Sequence, residues 1–484
     1  MNRVQQISSA NSHIESAETD SDSALGWLVI IVFSALTALG IVLGLGQALA
    51  IAFTVGSVGV GLLLYLRCPL MYVSFVWWLW FIVPLIRRIS DFTGGYIDPS
   101  PFLLAPFLVT SITGINLAQS IFKTLRQGGF PFLLVFVGLF YALLVGIVQG
   151  FGPVPIVKSL LGWISPPLMG FYLFTHWRDY PNYRNVIQKT VVWAVLIMGS
   201  YGIYQYLNAP EWDMLWLTES GFTSAGRPEP RGFRIWSTLN SPGPFGNIMK
   251  SCLLVLFSAR GGLLIPSLIT GYLAFLLSLI RSAWGGWFVG VLVLLASMKS
   301  KHQMQIFVMI LVFALAIFPL ATINSFSAIG DRVGSLSNLE TDGSANIRLT
   351  TFGLLIDSAL TSFVGKGIGD KGYDWGIFIF LFNLGWIGTV FYAGGLFMLI
   401  FKLFEGNEGR DDKFMAVTRA VVLSTIIQLP FGSLIIDSSG LMLWVMLGMG
   451  IAGKKYYQEQ RLHALSSNTL PSQAVPPNLP PSSN

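Results

Sequence analysis

Residues Leu25–Leu45 read LGWLVIIVFSALTALGIVLGL, an unbroken run without an ionisable side chain and without alternation of apolar and polar positions. About 20 such residues, rising 1.5 Å each as a helix, cross the ~30 Å hydrocarbon core of a bilayer. A membrane-spanning β-strand would alternate instead. The same texture returns at Gln303–Thr322 and over most of the 484-residue chain. Hydrophobic residues make up 53% and charged residues 11%, and mean hydropathy is +0.66. That composition excludes a soluble globular enzyme, which would have too little polar surface. The expected fold is an all-α polytopic membrane bundle, because helices satisfy their own backbone groups where lipid offers no partner.

Working outward, apolar runs fall near 25–45, 48–66, 69–86, 102–121, 130–149, 157–175, 187–207, 243–259, 262–280, 283–298, 303–323, 375–401, 414–434 and 438–452. Pro, Gly or Asn within 102–121 and 157–175 suits a re-entrant segment, so about 12–14 transmembrane helices are expected. No internal repeat is visible. Alternate loops collect Arg67, Lys123, Arg126, Arg178, Arg184, Lys189, Arg260, Lys299, Lys301, Lys402, Arg410 and Lys413, with Lys454, Lys455 and Arg461 after the last run. The positive-inside bias assigns these loops to the cytoplasm. Residues 1–23, polar and acidic, read as a disordered cytoplasmic tail and not as a cleaved signal. Residues 24–455 form the transmembrane domain, and 456–484 a Pro/Ser-rich cytoplasmic tail. Two long loops, about 208–241 and 324–374, fall on the outer face and are expected to form a cap. Cys68 and Cys252 read as packing residues, too sparse for a disulfide framework.

The outer face also receives cations: Arg87, Arg88, Arg227, Arg231, Arg234, Arg281, Arg332, Arg348, Lys366 and Lys371. Arg227, Arg332, Lys366 and Lys371 read as ordinary loop charge. Arg281 differs, because it lies in Ser278-Leu279-Ile280-Arg281-Ser282-Ala283-Trp284 with apolar helix on both sides. A cation at that depth costs on the order of a few kcal/mol unless it snorkels or meets an anion. Guanidinium groups bind phosphate oxygens bidentately and stay charged. Several on one rim would make a receptor for a lipid-linked phosphate or diphosphate. Arg87 and Arg88, beside Asp91, suit substrate phosphate, anionic head groups or the anchoring of a span.

Here the residues resemble the bacterial O-antigen ligase and O-antigen polymerase family. Arg231-Gly232-Phe233-Arg234 leads to Asn240-Ser241-Pro242-Gly243-Pro244-Phe245-Gly246-Asn247, which is similar to the family's Arg/Gly and Pro-Asn-type approach to a span. Ser278 to Gly286 resembles its Ser-Arg-(small)-Trp-x-Gly signature, and Arg348 precedes Gly365-Lys366-Gly367-Ile368-Gly369 in the family's order. The likeness covers about residues 230–400. The family's ligase motif is His, then Asn, Ser or Gln, nine residues, Gly, two residues, and Gly, Thr or Tyr. Its spacing is met by Asp374-Trp375, Gly376 to Leu384, Gly385, Trp386-Ile387 and Gly388, with Asp374 where the histidine would stand. Those glycines and Asp374 also fit a helix N-cap followed by a packing face. His13, His176, His302 and His463 all fall in tails or cytoplasmic loops.

The resemblance implies a metal-independent glycosyltransferase without a cofactor. It would move a glycan, with inversion, from a polyprenyl diphosphate to a hydroxyl on a lipid or glycan acceptor. The work would lie on the outer face of the bacterial inner membrane, in cell-surface polysaccharide or lipopolysaccharide biosynthesis. Arg281 and Asp374 are the expected catalytic residues, with Arg231, Arg234, Arg348, Arg87 and Arg88 as substrate ligands. Arg281 would stabilise the departing diphosphate, and Asp374 would take the acceptor's proton. Donor, acceptor and membrane lipids are the expected partners, with no nucleic acid. Two alternatives stand. One is a small-anion carrier, for instance of inorganic carbon, whose sign would be a charge within a span such as Lys250. The other is a noncatalytic subunit that binds lipid-linked glycan. Glu340 and Asp342 offer hard-oxygen ligands but read as a solvated loop pair.

Overall fold

The computed structural model describes residues 2–298, 303–304, 307, 310, 327–334, 343–369 and 376–469. Among these residues the chain is all-α, the sole β feature being an isolated bridge between Gly226 and Phe233. Eight stretches are long and apolar enough to cross a membrane: Asp22–Val42, Gly46–Arg67, Pro69–Gly94, Pro101–Gln127, Phe130–Val148, Trp177–Asn208, Phe380–Phe404 and Lys413–Phe431. The protein is therefore a multi-pass membrane protein. The run at 303–323 lies almost entirely outside the described residues.

The first helices are α1 (Asn2–Val42), α2 (Gly46–Arg67) and α3 (Pro69–Gly94). α1 begins at Asn2, so the polar segment expected to be a disordered tail continues the first spanning helix. It carries no Gly or Pro before Gly26, and nothing local stops the helix. Residues 101–127 are broken as their Pro and Gly content suggests. A 3-10 turn, Pro101–Leu104, precedes α4 (Ala105–Ser111) and α5 (Gly114–Thr124). The second of the two segments, 157–175, is continuous. After α6 (Phe130–Val148), α7 (Pro153–Thr175) runs on through Pro166 and Pro167. Next come α8 (Tyr180–Asn208) and a short α9 (Glu211–Glu219).

The middle of the bundle is made of short helices: α10 (Pro242–Leu256), α11 (Leu264–Leu277) and α12 (Arg281–Ser297). α10 packs against α8, α11 and α12, and every residue from Ile248 to Leu256 is buried. A helix enclosed by protein on all sides reads as apolar throughout without having to match the bilayer's thickness. Then follow α13 (Ser327–Gly334), α14 (Gly343–Leu360), α15 (Gly376–Ile379), α16 (Gly385–Phe404), α17 (Lys413–Gln428) and α18 (Asp437–Thr469). α18 carries helix well past residue 455, into what the sequence reads as tail. It crosses α7 where Gly170 and Gly448 meet: a Cβ on Gly448 would stand 2.3 Å from the Gly170 carbonyl oxygen. Small residues let two backbones approach this closely, which is how helices associate in lipid.

Candidate functional site

Among the expected site residues, Arg88 has its guanidinium held inside the protein. It is 0% exposed, donates through Nε to Asp213 Oδ1 at 2.6 Å, and donates to the carbonyls of Leu239 and Ser237. Asp213, equally buried, accepts also from Tyr201 Oη at 2.8 Å and Gln205 Nε2 at 2.8 Å. Gln205 Oε1 in turn accepts from the backbone N–H groups of Trp236 and Ser237. This network clamps α9 and the segment before α10 onto α3 and α8. Arg88 thus serves structure here and not as a phosphate ligand. Arg87 also turns inward, to Asp91 Oδ2 at 3.1 Å and the Ile97 carbonyl at 2.8 Å.

Three of the segments that carry the family resemblance meet beside the clamp. The N–H of Ile235 donates to the Leu277 carbonyl at 3.3 Å, joining the Arg231–Arg234 stretch to the end of α11. A Cβ on Gly246 would lie 3.2 Å from Ile280 Cβ and 3.3 Å from Ser278 Oγ. The stretches 231–235, 240–247 and 278–286 therefore form one contiguous surface. Arg281 is the first residue of α12, after a turn with Leu279 at φ 54°. The turn is braced by Ser278 Oγ donating to the Phe275 carbonyl and by Trp284 Nε1 donating to the same oxygen. The free N–H groups of a helix's first turn favour an anion beside it. Arg332, read from sequence as ordinary loop charge, donates to the Leu279 carbonyl at 3.3 Å. It brings a second guanidinium to the Arg281 turn. Arg231 is exposed with its backbone at φ 63°, its N–H tied to the Tyr206 carbonyl.

Deeper along α12 lies a polar cluster. Gly286 is five residues from Arg281, about 7.5 Å along the axis. A Cβ there would meet Gln428 Oε1 at 2.3 Å and Lys250 Cδ at 3.1 Å. Lys250, 1% exposed, donates to Gln428 Oε1 at 2.8 Å and Thr425 Oγ1 at 3.3 Å. Gln428 Nε2 then donates to Asn247 Oδ1 at 2.9 Å. No carboxylate forms an ion pair with this buried ammonium group among the described residues.

Asp374 and Trp375 lie outside the described residues, and of Arg348 only its place in α14 is described. The rest of that motif is visible. Gly376 packs on the turn after α17, where a Cβ would meet the carbonyl oxygens of Leu429 and Gly432 at 2.4 and 2.5 Å. Between α15 and α16, Phe380–Leu384 is a π-helical turn. Two of its carbonyls, Phe382 and Asn383, accept from the N–H groups of Lys366 and Gly367 at 2.6 and 3.0 Å. A π turn releases carbonyls from the helix ladder, and in lipid these must find protein donors. Gly385 follows at φ 62°, with Val364 and Gly365 backbone atoms 2.4–2.5 Å from where a Cβ would be. Gly388 rests on Tyr141 and Gly138. The motif's glycines are thus close-packing residues.

One carboxylate was not singled out in the sequence. Asp437, at φ 55°, opens α18 ahead of its apolar stretch. Its side chain is open to solvent on one side, with protein packed around the rest. The loss of surrounding water pushes its carboxyl up to about 6, against a smaller pull from Lys158. A connection of eight residues, 429–436, separates it from Gln428. A carboxyl titrating there can accept a proton near neutral pH. The signal in sequence would have been an acidic residue opening an apolar run, in Ile436-Asp437-Ser438-Ser439-Gly440.

No family model matches the chain, and no curated protein matches it.

Proposed function

We propose that this protein is an O-antigen ligase- or polymerase-like glycosyltransferase. It moves a glycan from a polyprenyl diphosphate to a hydroxyl acceptor at the outer face of a bacterial inner membrane, without a metal. The observation that carries this reading is the convergence of 231–235, 240–247 and 278–286 beside the clamp, with Arg281 at a helix N-terminus on that surface. Arg281 neutralises charge on the leaving diphosphate, assisted by Arg231, Arg234 and Arg348. Bidentate guanidinium contacts to phosphate oxygens strengthen as the glycosidic bond breaks and negative charge collects on the leaving group. Asp374 takes the acceptor proton, and Asp437, with its raised pKa, is a second carboxylate suited to the same task.

The test is to delete the gene, or express Arg281→Ala, and analyse lipid-linked and finished glycans. The expected result is accumulation of undecorated acceptor and unused lipid-linked donor. Normal glycans with impaired solute uptake would overturn the transferase reading. For Asp374, full transfer by both the Asn and His variants would remove it as the base.

A second reading draws on a separate observation. Among the described residues Lys250 is buried in α10 without a carboxylate partner, as expected of a small-anion carrier that places a cation within its spans. Uptake lost in Lys250→Met, with glycans intact, would favour that reading.

A further inference from the structure

At the far end of α8 from the candidate site lies a cavity of about 760 Å³. Arg184 is 22 residues before Tyr206, whose carbonyl holds Arg231, so the two ends are about 33 Å apart along the helix. The cavity is lined by five cations, Arg184, Lys189, Arg260, Arg410 and Lys413, and by two carboxylates, Asp411 and Asp412.

Asp412 is already committed. Its side chain is 6% exposed, and its Oδ2 accepts from Arg184 at 3.0 Å, Tyr180 Oη at 2.7 Å and Tyr457 Oη at 3.0 Å. Its Oδ1 accepts from the N–H of Phe414 at 2.9 Å, capping α17. The Arg184–Asp412 pair is thus a neutral, braced corner. Gln188 fixes a second wall by donating to the carbonyl and Oγ of Ser258 at 2.8 and 2.9 Å. Lys189, Arg260, Arg410 and Lys413 line the same space, and among the described residues none of them forms an ion pair. The positive-inside bias accounts for cations on this face, but it does not gather them from α8, the connection after α10 and the start of α17 around a cross-braced hollow. With Asp411 and Asp412 set against the five cations, the lining keeps a net excess of three positive charges, and a cleft of that sign attracts an anion.

We propose that this cavity binds a phosphate group, carried either on the head group of an acidic phospholipid or on a free phosphorylated solute. Arg260 and Arg410 supply planar, bidentate donors, and Lys189 and Lys413 supply point charges. The volume leaves room for whatever is esterified to the phosphate.

The test uses the full chain. Protein in phosphatidylcholine nanodiscs is titrated with inorganic pyrophosphate by calorimetry, and detergent-purified protein is examined by native mass spectrometry for retained phosphatidylglycerol. The cavity variant is Arg260→Gln/Lys413→Gln. The control, Arg178→Gln/Arg461→Gln, removes equal charge from the same face outside the cavity. Saturable binding of either probe by wild type and control, weakened at least tenfold in the cavity variant, supports the proposal. Response to pyrophosphate assigns a soluble source, and response to phosphatidylglycerol alone assigns a lipid. Absence of saturable binding of both probes, or equal loss in variant and control, overturns it. Should the double variant fold poorly, Lys189→Gln, exposed on α8, replaces it with the same expectations.

Discussion

Asp213→Ala tests the clamp that holds α9 and the segment before α10 onto α3 and α8. The substitution leaves the Arg88 guanidinium 0% exposed with no anion beside it and withdraws the acceptor from Tyr201 and Gln205. Removing one partner of a buried ion pair costs about 3–5 kcal/mol, because the remaining charge is stranded. The orphaned hydroxyl and amide push the figure toward the upper end of that range. Asp213→Asn keeps an acceptor oxygen and should cost less. Arg88→Met takes away the same pair and also the donor to the carbonyls of Ser237 and Leu239, so it should release the chain ahead of α10 most completely. The assays are equilibrium unfolding in detergent and limited proteolysis across 219–232, a largely exposed stretch. The expected order of stability is wild type, Asp213→Asn, Asp213→Ala, with cleavage rising in the same order. Unfolding and digestion of Asp213→Ala indistinguishable from wild type would refute the claim that this pair holds the segment in place.

Arg281→Ala should lower transfer by roughly 100-fold or more, the usual cost of one donor to a developing oxyanion. Arg281→Lys should restore part of it, measured as product formed from a lipid-linked donor. Gly385→Ala should abolish recovery of monodisperse protein, since φ is 62° and neighbouring backbone stands 2.4–2.5 Å from the new methyl. Gly394→Ala, with open space around it, should be neutral, and size-exclusion profiles decide. Asp437, raised to about 6 by loss of water, carries the opposite sign from a salt-bridged carboxylate. The folded protein holds its proton more tightly than the unfolded chain, so this term favours folding at low pH and is lost as pH climbs from about 4 through 6. Asp437→Asn should therefore gain stability relative to wild type at pH 8 and little at pH 4. Equal gains at both would contradict the assignment.

What the sequence revealed and what it hid follow from the range of the interactions concerned. Apolar runs are local, so helix positions were legible from Leu25–Leu45 onward. Arg87 and Asp91 are four apart, a spacing that meets on one helix face, and their pairing was open to a sequence reader. Arg88's partner, by contrast, lies 125 residues away on α9, and no spacing rule reaches it. The runs read for α10 and α11 are longer than the helices, while that for α12 is not, because hydropathy records burial and cannot tell protein from lipid as its cause. Arg332 reads from sequence as ordinary loop charge, because the positive-inside rule is a bias that tolerates some cations elsewhere. Its significance comes from the Leu279 carbonyl it reaches across the fold. The glycines of the motif at 374–388 were visible, but their packing role depends on Gly365 and Gly138, which only the tertiary structure brings to them.

The two levels along α12 make the competing functions separable. On the proposed reading a lipid diphosphate would meet the start of α12, where Arg281 begins the helix with Arg332 braced against the same turn. A permeating anion must pass deeper, where Gly286 admits Gln428 and Lys250 to the helix surface. The ~7.5 Å between these levels exceeds the reach of one phosphate contact, so a ligand engaging only the rim is indifferent to Lys250. Arg281→Ala should then abolish glycan transfer, while Lys250→Met, which keeps most of the volume of the buried side chain, should preserve it. The reverse pattern, with transfer surviving Arg281→Ala and solute uptake failing in Lys250→Met, would move the functional centre from the rim to the interior. Arg281 and the arginines read as substrate ligands would then serve the fold, as Arg88 does.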